Sequence, residues 1–140
     1  MKIRLLITDD HELVRAGLVQ FLGSSPGIEV VAEASSGDEL LATLRATKVD
    51  LLLLDMSMPG MSGEDLIARI KSRYPDMRIL VLSMHNETEV VLRAMKAGAS
   101  GYICKDCSPK ILLEAIRKVV ETGKYLEPEM AERLAYVAAS

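Results

Sequence analysis

Ile3-Arg-Leu-Leu-Ile7, Leu51–Leu54 and Ile79–Leu82 are nearly unbroken aliphatic runs, each only four or five residues long. Runs this short are too brief for useful helices, and without polar alternation they offer no face to water. They fit parallel strands covered on both sides. Together with two further strand-like segments they predict strands at Ile3–Thr8, Glu29–Ala34, Leu51–Asp55, Ile79–Ser83 and Gly101–Cys104.

Between the strands the apolar residues recur at helical spacing. Val14, Gly17, Leu18, Phe21 and Leu22 form one face; Leu40, Leu41 and Leu44 a second; Leu66, Ile67, Ile70 and Tyr74 a third. Val90, Val91, Ala94 and Met95 form a fourth, and Ile111, Leu112, Ala115, Ile116, Val119 and Val120 a fifth, with Ser108 as N-cap and Pro109 as first helical residue. Turn-forming clusters separate the elements at Ser24–Gly27, Pro59-Gly60, Tyr74–Asp76 and Gly98–Gly101. Five β/α units mean an α/β fold, a five-stranded parallel sheet with helices on both faces. Pro128 to Ala139 reads as one more helix outside that alternation.

At 140 residues the chain is the size of one domain, and its 49% apolar content suffices for a core. No apolar run is long enough to span a bilayer. The Met-Lys-Ile-Arg start runs straight into a strand without a signal-peptide pattern, so a cytoplasmic location is expected. A net charge of −3 with scattered basic residues argues against a general nucleic-acid surface. Cys104 and Cys107 form a Cys-x-x-Cys. Zinc would need two more ligands, and a redox pair should open a helix, whereas Cys104 ends a strand; two small residues flanking a loop is the expected reading.

Chemistry-bearing residues gather at the C-terminal ends of the strands: Asp9 and Asp10 after the first, Asp55 at the third, Ser83 at the fourth, Lys105 after the fifth. In open α/β sheets ligands bind outside those ends, where strand order reverses, and the order 2-1-3-4-5 would bring Asp9, Asp10 and Asp55 together. Three carboxylates at one place need cations. Lys105 supplies one charge, and a hard divalent ion, Mg²⁺ (or Mn²⁺), would supply the rest. The set suits phosphoryl transfer to Asp55, with Lys105 and the ion neutralising charge and Ser83 hydrogen-bonding a phosphoryl oxygen. Singly, each residue has an ordinary explanation: a helix cap, a loop carboxylate, a strand end, a solvated cation. Their coincidence is what points to a site.

These residues resemble the receiver domains of two-component response regulators. Asp9-Asp10 is similar to the family's acidic pair, Asp55-Met-Ser-Met-Pro59-Gly60 to its phosphoacceptor loop, Leu82-Ser83 to its switch hydroxyl, and Ala97 to Asp106 to the stretch carrying the switch aromatic and the lysine. The likeness covers about residues 2 to 123 and implies a flavodoxin-like fold. It also implies roles: Asp10 ligating Mg²⁺ directly, Asp9 mainly through water, Asp55 and the Ser57 carbonyl completing the protein ligands, and Ser83 with Tyr102 as the switch pair. On phosphorylation Ser83 would move toward the phosphoryl group and Tyr102 would turn inward, reshaping the surface around the fourth helix, fifth strand and fifth helix.

Val81 to His85, Lys105-Asp106 and the tail from Gly123 to Leu134 resemble the NarL/FixJ type, in which such a tail leads to a helix-turn-helix domain. On that resemblance residues 1–124 are the receiver and 125–140 a helical linker to an output domain that this chain does not contain. The implied partners are a sensor histidine kinase, a second copy in a phosphorylation-dependent homodimer, and DNA only through the output domain, with no membrane. The protein would be a bacterial signalling switch, not a metabolic enzyme. Asp106 stands where many receivers have proline, and Met84 is bulkier than the small residue often found beside the switch hydroxyl, which would slow phosphorylation by small donors. Ser57 and His85 occupy positions that tune phosphate hydrolysis.

Three alternatives compete. A phosphatase with an Asp nucleophile would need a second Asp two residues on, but position 57 is Ser. A flavin or nucleotide binder would need a phosphate loop where Asp9-Asp10-His11-Glu12 stands. A receiver-like module acting without phosphorylation would not need the five residues together.

Overall fold

The computed structural model describes residues 2–58 and 60–139. Pro59, half of the expected Pro59-Gly60 turn, lies outside the described residues, as do Met1 and Ser140. Strands and helices alternate as β1 (Ile3–Thr8), α1 (Glu12–Gly23), β2 (Ile28–Ala34), α2 (Gly37–Ala46), β3 (Leu51–Asp55), α3 (Gly63–Arg73), β4 (Arg78–Ser83), α4 (Thr88–Ala97), β5 (Gly101–Cys104) and α5 (Pro109–Thr122). Two further elements follow, β6 (Tyr125–Leu126) and α6 (Pro128–Ala139). The strands pair in parallel in the order β2-β1-β3-β4-β5-β6, so the expected order holds with one strand added at the edge.

Alternation along the strands feeds two cores. Leu6, Leu52, Leu54, Ile79, Val81 and Tyr102 face α2, α3 and α4, where Leu40, Ile67 and Val91 meet them. Leu5, Ile7, Leu51, Leu53, Leu80 and Leu82 face the other way, toward Leu22 of α1 and Leu112, Ile116 and Val119 of α5. The apolar stripes are buried along their centres and open at their margins: Val14 is 43% and Ile111 37% exposed. Ser108 caps α5 by accepting from the Ile111 N–H with Pro109 in the first turn, and Gly123 ends the helix at a φ of 86° that only glycine adopts easily.

The sixth strand depends on Gly101. A Cβ there would sit 2.7 Å from the Tyr125 carbonyl oxygen and 3.0 Å from Leu80 Cδ1, so only the missing side chain lets β6 close on β5. Beyond it α6 lies against α4, with Met130 buried in the α3–α4 side of the core. Arg133 of α6 donates to Thr88 Oγ1 at 2.7 Å and 3.1 Å and to the Asn86 carbonyl at 3.1 Å.

Candidate functional site

Register brings the site together. Thr8 pairs with Leu54 and Asp55 with Leu82, so the residues just past β1, β3 and β4 share one end of the sheet. Asp9 and Asp55 are each 1% exposed and Ser83 is fully buried, while Asp10 and Ser57 are open to solvent. The Lys105 ammonium reaches Asp9 Oδ2 at 3.0 Å and Asp55 Oδ2 at 3.1 Å, its backbone fixed by an N–H bond to the Ser83 carbonyl.

One cation between two buried carboxylates does not satisfy them. The other oxygen of each takes a backbone donor: Asp9 Oδ1 the His11 N–H at 2.8 Å, Asp55 Oδ1 the Ser57 N–H at 2.9 Å. The two Oδ2 atoms are buried at ion-pairing distance from Lys105 but without an aligned hydrogen bond. Burial pushes the Asp55 carboxyl above the usual aspartate value and repulsion from Asp9 adds to this, with the Ser57 N–H and Lys105 offsetting only part. Burial also works against ionised Asp9, but the His11 N–H and Lys105 together hold it below that value. Lys105 loses solvation too, yet the two carboxylates hold its ammonium above the ordinary lysine value. Splitting of two adjacent carboxyls in this way is a mark of functional sites.

The helix-cap explanation of the acidic pair fails. The N-cap of α1 is His11, and no side chain caps that helix. One oxygen each of Asp9, Asp10 and Asp55 and a ring nitrogen of His11 all lie within 4.8 Å of one another. With three carboxylates sharing one lysine ammonium, these residues fit a divalent cation. His11 was absent from the expected set; the adjacency Asp9-Asp10-His11 was visible in sequence, but not the direction of the ring.

Ser83 and Tyr102 are both tied to the loop between β4 and α4. Ser83 Oγ accepts the His85 N–H at 3.0 Å, and the Tyr102 hydroxyl donates to the His85 carbonyl at 2.6 Å. Tyr102 is only 3% exposed, so its ring stands in the inward position. Met84, beside Ser83, is 59% exposed. The turn after Lys105 closes with the Cys107 N–H on the Cys104 carbonyl, and there is no cis peptide bond among the described residues. Cys104 lines a cavity with Tyr102 and Met130, whereas Cys107 lines a groove with Leu18 and Leu112 on the other face of the sheet. The hydrogen bond to Asp106 holds the Cys104 thiol up and burial does the same for Cys107. Neither arrangement favours thiolate chemistry.

The family described as "Response regulator receiver domain" matches residues 5–117. The chain belongs to that family. The response regulator UvrY of Escherichia coli is 40% identical over 133 residues, which are 95% of this chain and 61% of that protein. This chain thus spans about three fifths of the length of that curated relative. A LuxR-family two-component response regulator from Aurantimonas sp. SI85-9A1 superposes with a TM-score of 0.90 at 32% identity, covering 100% of both chains. The isolated receiver of RcsB from Salmonella enterica serovar Typhimurium, with the phosphomimetic BeF3⁻, superposes with a TM-score of 0.86 at 28% identity, covering 96% of this chain and 99% of that one. A second RcsB structure holds two dimers on two parallel DNAs (TM-score 0.87, 26% identity, 96% of this chain and 69% of that one). This receiver is accordingly a signalling rather than a catalytic protein, of the kind found in NarL/LuxR-type transcriptional regulators. Among its described residues no helix is long and apolar enough to cross a membrane.

Proposed function

We propose that Asp55 accepts a phosphoryl group from the phosphohistidine of a sensor kinase, and that the modified site drives an output. The observation that carries the reading is the Lys105 ammonium set between the buried carboxylates of Asp9 and Asp55, each keeping one oxygen without an aligned hydrogen bond. An Asp55 oxygen attacks phosphorus, the phosphorus–nitrogen bond to the donor imidazole breaks, and the departing imidazole retains the electron pair and takes a proton. Lys105 neutralises charge on the transferring group, and Ser83 offers its hydroxyl to a phosphoryl oxygen. Asp9, Asp10, Asp55 and the Ser57 carbonyl are the residues to hold Mg²⁺ or Mn²⁺, which would supply further neutralisation of the phosphoryl oxygens.

Ser83 and Tyr102 form the switch. Residues 1–124 are the receiver proper, and 125–140 connect it to a helix-turn-helix output domain through which DNA is bound. A phosphorylation-dependent homodimer and a cytoplasmic location complete the reading, in line with the RcsB dimers on DNA.

The test is intact mass after incubation with acetyl phosphate and Mg²⁺. One added phosphoryl group is expected, absent in Asp55→Asn and in EDTA; no gain from acetyl phosphate or from a phosphorylated kinase would overturn the reading. Sedimentation with and without BeF3⁻ tests the dimer, and an unchanged monomer would count against it.

A further inference from the structure

We infer that the cation pocket is a mixed nitrogen–oxygen site in which the His11 imidazole is a ligand beside Asp9, Asp10 and Asp55, so that it favours imidazole-binding ions such as Mn²⁺ and Ni²⁺ over Mg²⁺. The inference rests on the metal reading above and adds a selectivity residue to it.

Position comes first. His11 Nδ1 lies 3.2 Å from Asp9 Oδ1 and 3.3 Å from Asp10 Oδ1, facing both acidic side chains at once. In a six-coordinate site with bonds of about 2.1 Å, neighbouring ligand atoms are about 3.0 Å apart and opposite ones about 4.2 Å. The nitrogen and the three carboxylate oxygens, all within 4.8 Å of one another, are already gathered on nearly that scale. In the tautomer carrying its proton on Nε2, the ring presents a lone pair toward the acids.

The ring's hydrogen-bond and ion-pair contacts are with the acidic pair itself. His11 is the N-cap of α1 yet makes no side-chain cap. Its backbone N–H, bonded to Asp9 Oδ1, ties the residue to the acidic pair whatever the ring does. The ring is 61% exposed, so it can adjust to an incoming ion, while Lys105 covers the Oδ2 edge of Asp9 and leaves His11 the Oδ1 edge. Three carboxylates, two of them buried, share the single Lys105 ammonium, so the pocket remains short of positive charge.

Ligand chemistry then sets the preference. An all-oxygen set suits Mg²⁺, which gives up water reluctantly, whereas an imidazole nitrogen strengthens binding of transition ions in rising order from Mn²⁺ to Ni²⁺.

The experiment uses the full chain, stripped with EDTA, titrated calorimetrically with MgCl2, MnCl2 and NiCl2, together with electron spin echo envelope modulation on the Mn²⁺-loaded protein. Wild type should show imidazole-nitrogen modulation that disappears in His11→Gln. That variant should lose about tenfold in Ni²⁺ affinity and less in Mn²⁺ affinity, with Mg²⁺ affinity changed by less than about threefold. Binding without nitrogen modulation, or an equal loss for all three ions, overturns the inference and leaves the metal reading standing. Absence of binding by any of the ions overturns both.

Discussion

Replacing Asp55, the proposed phosphoacceptor, should make this domain more stable. Asp55 is 1% exposed and shares the Lys105 ammonium with Asp9. Oxygens of the two acids lie no more than 4.8 Å apart, so at an effective dielectric constant of about 20 their repulsion is at least about 3.5 kcal/mol. Attraction between Asp55 and Lys105 at 3.1 Å returns about 5 kcal/mol on the same scale. Desolvation of a buried carboxylate costs several kcal/mol more. Asp55→Asn removes all three contributions, keeps an oxygen for the Ser57 N–H, and turns an amide donor toward Lys105. The balance favours the variant by roughly 1–3 kcal/mol near neutrality.

The pH dependence carries the sign. The folded-state pKa of Asp55 lies above the ordinary 3.8, so wild type loses stability as pH rises from 3.8 through that value while the carboxylate forms. The advantage of Asp55→Asn therefore grows over the same interval and then levels off. Urea unfolding followed by circular dichroism from pH 4 to 8 in EDTA measures it, and saturating Mg²⁺ should shrink the gap. A variant less stable than wild type at neutral pH, or a difference that ignores pH, would refute the reasoning.

Lys105→Met strands two buried carboxylates and should cost about 3–5 kcal/mol at pH 7.5, shrinking toward pH 5 as they take up protons; urea midpoints at the two pH values report it. Met84→Ala should speed phosphorylation by acetyl phosphate, since Met84 stands exposed beside Ser83; equal rates in an intact-mass time course would remove that role. Arg133→Ala removes three hydrogen bonds from α6 to Thr88 at the start of α4 and to Asn86 in the loop before it, and should raise amide exchange across residues 128–139 by about tenfold while leaving β3 protected; unchanged exchange would mean those bonds hold nothing.

The fold was legible because its signals were strong and local. Leu51–Leu54 has no polar residue to spare for a solvent face, and the breakers left little freedom in where helices begin. The site was legible for a topological reason: reversal of strand order forces the ends of β1 and β3 together, and the acids sit at those ends. Other features lay below that threshold. Tyr125–Leu126 is too short to show a period, and the clue to it is an absent side chain at Gly101. Docking of α6 depends on Met130 entering the core and on Arg133 finding partners more than 40 residues away in the chain, which helical spacing does not encode. Val14 and Ile111 fit the apolar pattern but lie at stripe margins, where period alone does not separate core from rim.

Three backbone polar groups of the β4–α4 loop are each held by a different element. Ser83 of β4 accepts from the His85 N–H, while Tyr102 of β5 donates to the His85 carbonyl and Arg133 of α6 to the Asn86 carbonyl. The three bonds hold two adjacent residues, so displacing this stretch as a unit breaks all three. At about 1 kcal/mol each the rearranged loop starts about 3 kcal/mol uphill, a resting population of roughly one molecule in a hundred or fewer. Moving this loop therefore needs a free-energy source such as a chemical event at Asp55, and a mutation of any one anchor raises the rearranged population several-fold without touching an acidic residue.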